Sequence, residues 1–174
     1  MKINEILSWV QSYILQHYEM YVRVAVSALL GFIIGWDRGS KSKPAGLKTY
    51  MYVSVASTLI TLVSIHSVIH YSHLSDRIMM DPMRLTAQIV SGLGFLGAGV
   101  ILKNGLQVRG LTSAAMILFV GGVGIGIGAG FYGLVLFSVI ISMVMAKIGN
   151  TIEKRKFNIE ATDEAIHSEI TQDD

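Results

Sequence analysis

Apolar positions along the chain follow two patterns, a helical stripe at the start and long unbroken runs afterwards. In the first stretch Ile3, Ile6, Leu7, Val10, Ile14, Tyr18 and Tyr21 recur at the spacing of one helix face. Asn4, Glu5, Ser8, Gln11, Ser12 and Glu19 hold the other side. This predicts an amphipathic helix over residues 1–21, lying in a membrane interface with Trp9 and its tyrosines in the headgroup layer. A partner subunit would reward the same apolar stripe. Lys2 is the only early cation, Glu5 interrupts, and no small-residue cleavage site follows, so the stretch does not read as a signal peptide.

Five apolar runs come next, over about residues 21–36, 49–70, 85–102, 111–129 and 131–146. Each approaches the roughly 20 residues that cross a bilayer as a helix. The expected fold class is therefore an all-α membrane protein, one amphipathic helix followed by five transmembrane helices. Arg23 stands at the entrance of the first run, placed to snorkel toward the surface. Almost nothing separates the last two runs, which predicts a tight helical hairpin. Residues 22–148 then form the transmembrane domain. Residues 149–174 form a short charged tail, with Lys154, Arg155 and Lys156 suited to anionic lipid and an acidic end beyond them.

Composition agrees with that division. The chain is 52% hydrophobic and 15% charged, where a soluble domain carries about 25% charge. Eighteen glycines against two prolines suit close helix packing rather than a disordered linker. Without cysteine there is no disulfide, thiol chemistry or cysteine metal site.

Charge changes the picture once it is sorted by side. With the first loop taken as cytoplasmic, the inner side holds ten cations: Arg38, Lys41, Lys43, Lys48, Lys103, Arg109, Lys147, Lys154, Arg155 and Lys156. The outer side holds four, Lys2, Arg23, Arg77 and Arg84. The excess predicts an outside N-terminus and a cytoplasmic C-terminus.

A G-x-G-x-x-G pattern at Gly92, Gly94 and Gly97 raises the question of a dinucleotide site. It lacks a preceding strand and turn, and no acid lies between Asp81 and Glu153 to hold a ribose. The glycines read instead as packing positions. Ala87, Ser91, Gly94 and Ala98 make one seam, Gly122, Gly126 and Gly130 a second, and Ser27, Gly31 and Gly35 a third. The alternative is a pore lined by glycine backbone.

Among polar residues, Asp81 and Pro82 read as a helix cap and first helical position. Arg84, Gln88 and Ser91 then share a face, expected to carry polar groups into the bundle, either for function or for interhelical hydrogen bonds. Asp37 and Arg38 mark the inner mouth of the first span. The neighbouring lysines read as positive-inside anchors, which leaves Asp37 unexplained unless it pairs with Lys41. His66, His70 and His73 share one helix face and suit a soft divalent metal, an acid sensor, or simply the interface. No catalytic triad, P-loop or hydrolase metal spacing occurs, so no enzyme, cofactor or nucleic-acid partner is expected.

The stretches "ALLGFIIGWDR", "KPAGLKT", "DPMRLTAQIVSGLGFLGAGVIL", "VRGLTSAA" and "GIGAGFYG" resemble, in order and spacing, the MgtC/SapB family over about residues 22–148. Asp37 stands where that family has Glu, Lys48 where it has Arg, Tyr50 where it has His, and Leu118 where it has Trp. Longer members continue into a cytoplasmic C-terminal domain. The resemblance implies a multi-pass protein of the bacterial inner membrane, linked to growth at low Mg²⁺ and survival inside host cells. It further implies regulation of other membrane proteins, with the proton-translocating ATP synthase as one partner, or self-association. The alternative is a transporter or channel for Mg²⁺ or another small ion, using Asp37 and Gln88.

Overall fold

The computed structural model describes residues 3–36, 44–72, 81–105 and 107–170. These form α1 (Ile3–Trp36), α2 (Leu47–Ser72), α3 (Met83–Gly99), β1 (Leu102–Asn104), β2 (Gln107–Arg109), α4 (Leu111–Gly128) and α5 (Tyr132–Ile170). Four helices are long and apolar enough to cross a membrane: His17–Trp36, Leu47–Tyr71, Leu111–Gly128 and Tyr132–Glu153. The third expected span is α3, which has only 17 residues. At 1.5 Å per residue that is about 25 Å, short of the roughly 30 Å hydrocarbon core.

Within α1 the amphipathic stretch and the first span are two helices joined at a kink, where His17 leaves helical geometry (φ −116°, ψ 16°). Two features depart from the pattern-based elements. The C-terminal stretch continues α5 as helix to Ile170. Between α3 and α4 lies a small antiparallel hairpin, pairing Leu102 with Arg109 and Asn104 with Gln107. The turn opens on Gly105 at φ +60°, the left-handed residue that a two-residue hairpin loop needs first, a signal hidden in the sequence by the long apolar runs on either side.

The chain divides into two units, Met1–Val135 and Leu136–Asp174. The second consists, in its described part, of the remainder of α5. Within the first, α2 and α4 pack on each other, and each also packs on α1 and α3. The central contact is made by small residues. Gly121, Gly124 and Gly128 of α4 are buried. Ser54, Ser57, Thr58, Thr61 and Ser64 of α2 are buried too. A Cβ on Gly124 would overlap the Ser54 carbonyl and lie 2.8 Å from Ser57 Cβ, and one on Gly128 would lie 2.8 Å from Thr61 Cβ. Lipid tails are as apolar as leucine, so this close backbone approach, rather than hydrophobic burial, holds such helices together. Large apolar side chains face outward, Phe95 at 81% exposure and Trp36 at 69%. In water that would be costly. Against lipid it is ordinary.

α4 ends in two reciprocal backbone bonds, Phe131 N–H to Gly126 O at 2.8 Å and Gly130 N–H to Ile127 O at 3.1 Å. This C-terminal motif needs a left-handed residue, supplied by Gly130 at φ +87°.

Candidate functional site

The polar candidates do not converge. Lys48 is exposed in the first turn of α2. Ser64, sixteen residues further along that helix, donates to Pro82 O at 2.6 Å, which puts Lys48 about 24 Å along the axis from the start of α3. Asp37, Arg38 and His73 lie outside the described residues.

At the start of α3, Asp81 Oδ1 accepts the Met83 N–H at 2.8 Å, and Pro82 has helical dihedrals (φ −64°, ψ −21°). The aspartate satisfies an orphan helix donor, which gives it a structural task without any ligand. Arg84, Gln88 and Ser91 are all exposed, a correction to the expectation that they point into the bundle. The buried line of α3 is Ile89, Leu93 and Gly97. At about 100° per residue Gln88 stands nearest that line, beside Ile89, while Arg84 and Ser91 lie nearly opposite it. Gln88 instead joins Ser57 along an otherwise apolar groove between α2 and α3, of about 580 Å³.

The glycine seams are likewise sorted by their neighbours. Gly31 and Gly35 are tight against α2: a Cβ on Gly31 would lie 2.8 Å from Ser54 Cβ, and one on Gly35 2.9 Å from Leu47 Cα. Gly97 faces Ala114, with 3.6 Å between the built Cβ and the alanine methyl. Gly126 abuts Val135, and Gly130 serves the turn beside Arg23. Gly94 and Gly122 have nothing within 4 Å, which corrects their reading as packing positions. Both sit on faces turned away from the α2–α4 contact.

His66 is half-buried, and its Nδ1–H donates to Leu62 O at 2.9 Å, which leaves Nε2 as the free nitrogen of the neutral ring. His70 is exposed, edge-on to Tyr71 with centroids 5.2 Å apart. Among the described residues no group of three His, Cys, Asp or Glu is placed to hold a metal.

Two arrangements were not anticipated. The first is the hydroxyl row of α2. Thr58 donates to Gly124 O at 2.8 Å, and Thr61 to Ser57 O at 2.8 Å. Tyr50 Oη and Ser54 Oγ are buried without a partner among the described residues. The row was legible as Ser and Thr at three-to-four spacing within an apolar run. The second is Arg23, which does not snorkel. Its side chain is 18% exposed, and its guanidinium pairs with Glu19 at 2.5 Å. It donates to Gly128 O at 2.6 Å and lies 5.7 Å from the Tyr132 ring centroid. One side chain thereby ties α1 to the turn after α4.

Comparison with known proteins follows the same stretch of chain. The model of the MgtC family matches residues 24–155. SapB of Bacillus subtilis is 47% identical over 115 residues, 66% of this chain and 49% of SapB. YhiD of Escherichia coli strain K12, a candidate magnesium transporter by its description, is 32% identical over 80% of this chain and 65% of its own length. MgtC of Brucella abortus is 43% identical over 62% of this chain and 41% of its own length. The chain thus spans less than two thirds of each of these relatives. No solved structure matches it significantly.

Proposed function

The chain belongs to the MgtC family of membrane proteins, and from that premise we propose that it is a non-enzymatic regulator. Its role is in Mg²⁺ homeostasis and adaptation to low Mg²⁺, exercised through contacts with other proteins of the bacterial inner membrane. The observation that carries this reading is the closed α2–α4 seam. Thr58 and Thr61 spend their hydroxyls on backbone carbonyls, and Gly124 and Gly128 leave no width between the helices. Mg²⁺ demands octahedral oxygen ligands and sheds water reluctantly, and no acid occurs between Asp81 and Glu153 to receive it. A small-ion transporter is the second reading, favoured by the description of the Escherichia coli relative and by the unpartnered Tyr50 and Ser54 hydroxyls.

Reconstituted vesicles loaded with a Mg²⁺ indicator separate the two. Regulation predicts no flux above empty vesicles, together with loss of growth at low Mg²⁺ when Asp37→Asn or Gln88→Leu is introduced. Each variant is expected to insert normally, since Gln88 is exposed, where leucine suits lipid, and Asp37→Asn keeps shape while removing one charge. Flux that either variant abolishes would establish transport instead. Wild-type growth by both variants would remove Asp37 and Gln88 from the functional set.

We assign the N-terminus to the outside and the C-terminus to the cytoplasm, with α3 counted as a fifth span. The ten-to-four cation excess supports this. So does the packing of the first unit. Gly35 lies against Leu47, and Gly110 against Val100 and Pro44, which brings the start of α2 and the Leu102–Arg109 hairpin to one end. Single cysteines are clean probes in a chain without any. Ser42→Cys and Gln107→Cys should react with an impermeant maleimide only after the membrane is opened. Reaction of either in intact cells would invert the assignment.

A further inference from the structure

The groove between α2 and α3 shares only Gln88 with the reading above. Its walls are Ile60 of α2 with Leu85, Ile89 and Leu96 of α3, and Gln88 stands among them. Gly92 opens the floor, since a Cβ there meets nothing within 4 Å. Its volume of about 580 Å³ lies within the usual range for ligand sites. Arg84 is exposed one turn before Gln88 on the same flank of α3, with no ion pair to any described residue. Asp81, the nearest acid in sequence, directs a carboxylate oxygen to the Met83 amide. With α3 counted as a span, as proposed above, Arg84 lies in its first turn, at the end nearest the outer headgroups.

We infer that this groove holds one anionic phospholipid, its phosphate on Arg84 and one acyl chain running past Gln88 toward Leu96. Along α3 the Arg84 cation, just beyond the groove's lining, is followed by the Gln88 amide and then by Gly92 and Leu96, the order of groups within such a lipid. The donor chemistry also matches. A guanidinium has donors only, and phosphate and ester oxygens are acceptors that it engages in a fork. An apolar helix from a second copy would fill the lower groove but leave the Arg84 guanidinium without an anionic partner. The inference stands apart from the regulatory reading, because lipid retention is measured without growth or flux.

Native mass spectrometry of the detergent-purified protein, with phosphatidylglycerol or phosphatidylcholine of identical chains, tests it. Wild type should retain phosphatidylglycerol about tenfold better, the scale of one charged hydrogen bond. Arg84→Gln should abolish that preference while still binding both lipids weakly. Gly92→Leu, which fills the floor from an open position, should lower retention of both. Inorganic phosphate should not displace the lipid. Equal retention of the two lipids by wild type, or a preference that survives Arg84→Gln, would overturn the inference. Unchanged lipid retention in Gly92→Leu with a change from dimer to monomer would give the groove to a second copy.

Discussion

Gly124→Leu is expected to cost the bundle about 3 kcal/mol or more, while Gly122→Leu, two positions earlier, costs nothing measurable. The difference lies in what each position faces. A Cβ at Gly124 overlaps the Ser54 carbonyl and crowds Ser57, so the substitution must push α2 and α4 apart. Overpacking a tight site costs about 1–3 kcal/mol even where side chains can yield, and here the obstacle is backbone. Separation would also break the bond from Thr58 to Gly124 O, leaving a buried hydroxyl unpaired at about 1–3 kcal/mol. Gly122 is exposed with open space around it. Leucine there gains up to about 1 kcal/mol of helix propensity and faces lipid. Thermal unfolding in detergent, followed by loss of monodisperse protein, compares the pair directly. Equal midpoints for the two variants would show that the α2–α4 seam does not hold the bundle together.

Arg23→Ala is expected to destabilise the protein by about 2–3 kcal/mol. The C-terminal carbonyls of a helix have no intrahelical donors, and within a bilayer no water replaces them. Reciprocal backbone bonds satisfy Gly126 and Ile127 at the end of α4. The Gly128 carbonyl is met by the Arg23 guanidinium instead, which also lies over Tyr132. Alanine removes both interactions and leaves the carbonyl bare. Arg23→Lys keeps the charge but loses the planar fork that reaches Gly128 and Glu19 together, so its loss should be intermediate. Glu19→Gln should change stability by less than about 1 kcal/mol, because Glu19 is 62% exposed and exposed pairs contribute little. Unfolding midpoints should fall in the order wild type, Glu19→Gln, Arg23→Lys, Arg23→Ala. An Arg23→Ala protein as stable as wild type would show that the turn after α4 needs no side-chain donor.

Where the helices lie was legible from residue order, since an apolar run near bilayer length has few other stable states in lipid. α2 and α4 match the runs expected at 49–70 and 111–129 to within about two residues at each end. The start of α3 was equally readable from Asp81-Pro82, because capping is local chemistry between adjacent residues. Which face of each helix meets a neighbour was not. In water, polarity distinguishes inside from outside. In lipid the surface is as apolar as the core, so a hydrophobic pattern carries no such information. α4 offers glycines at 121, 124 and 128 as well as at 122, 126 and 130. Only the backbone of α2, pressed against Gly124 and Gly128, decides between them.

The candidate site divides the same way. That Arg84 and Gln88 share a flank follows from helical periodicity alone. That this flank borders an open groove, rather than the bundle interior, depends on α2 lying beside Ile89 and Leu93. The role of Arg23 was the least accessible, because its partner Gly128 is 105 residues away in sequence. Local chemistry is written in neighbouring residues, so capping, span length and charge excess belonged to the sequence. A contact between distant segments exists only once both helices are packed, so the latch, the seam and the groove belonged to the tertiary structure.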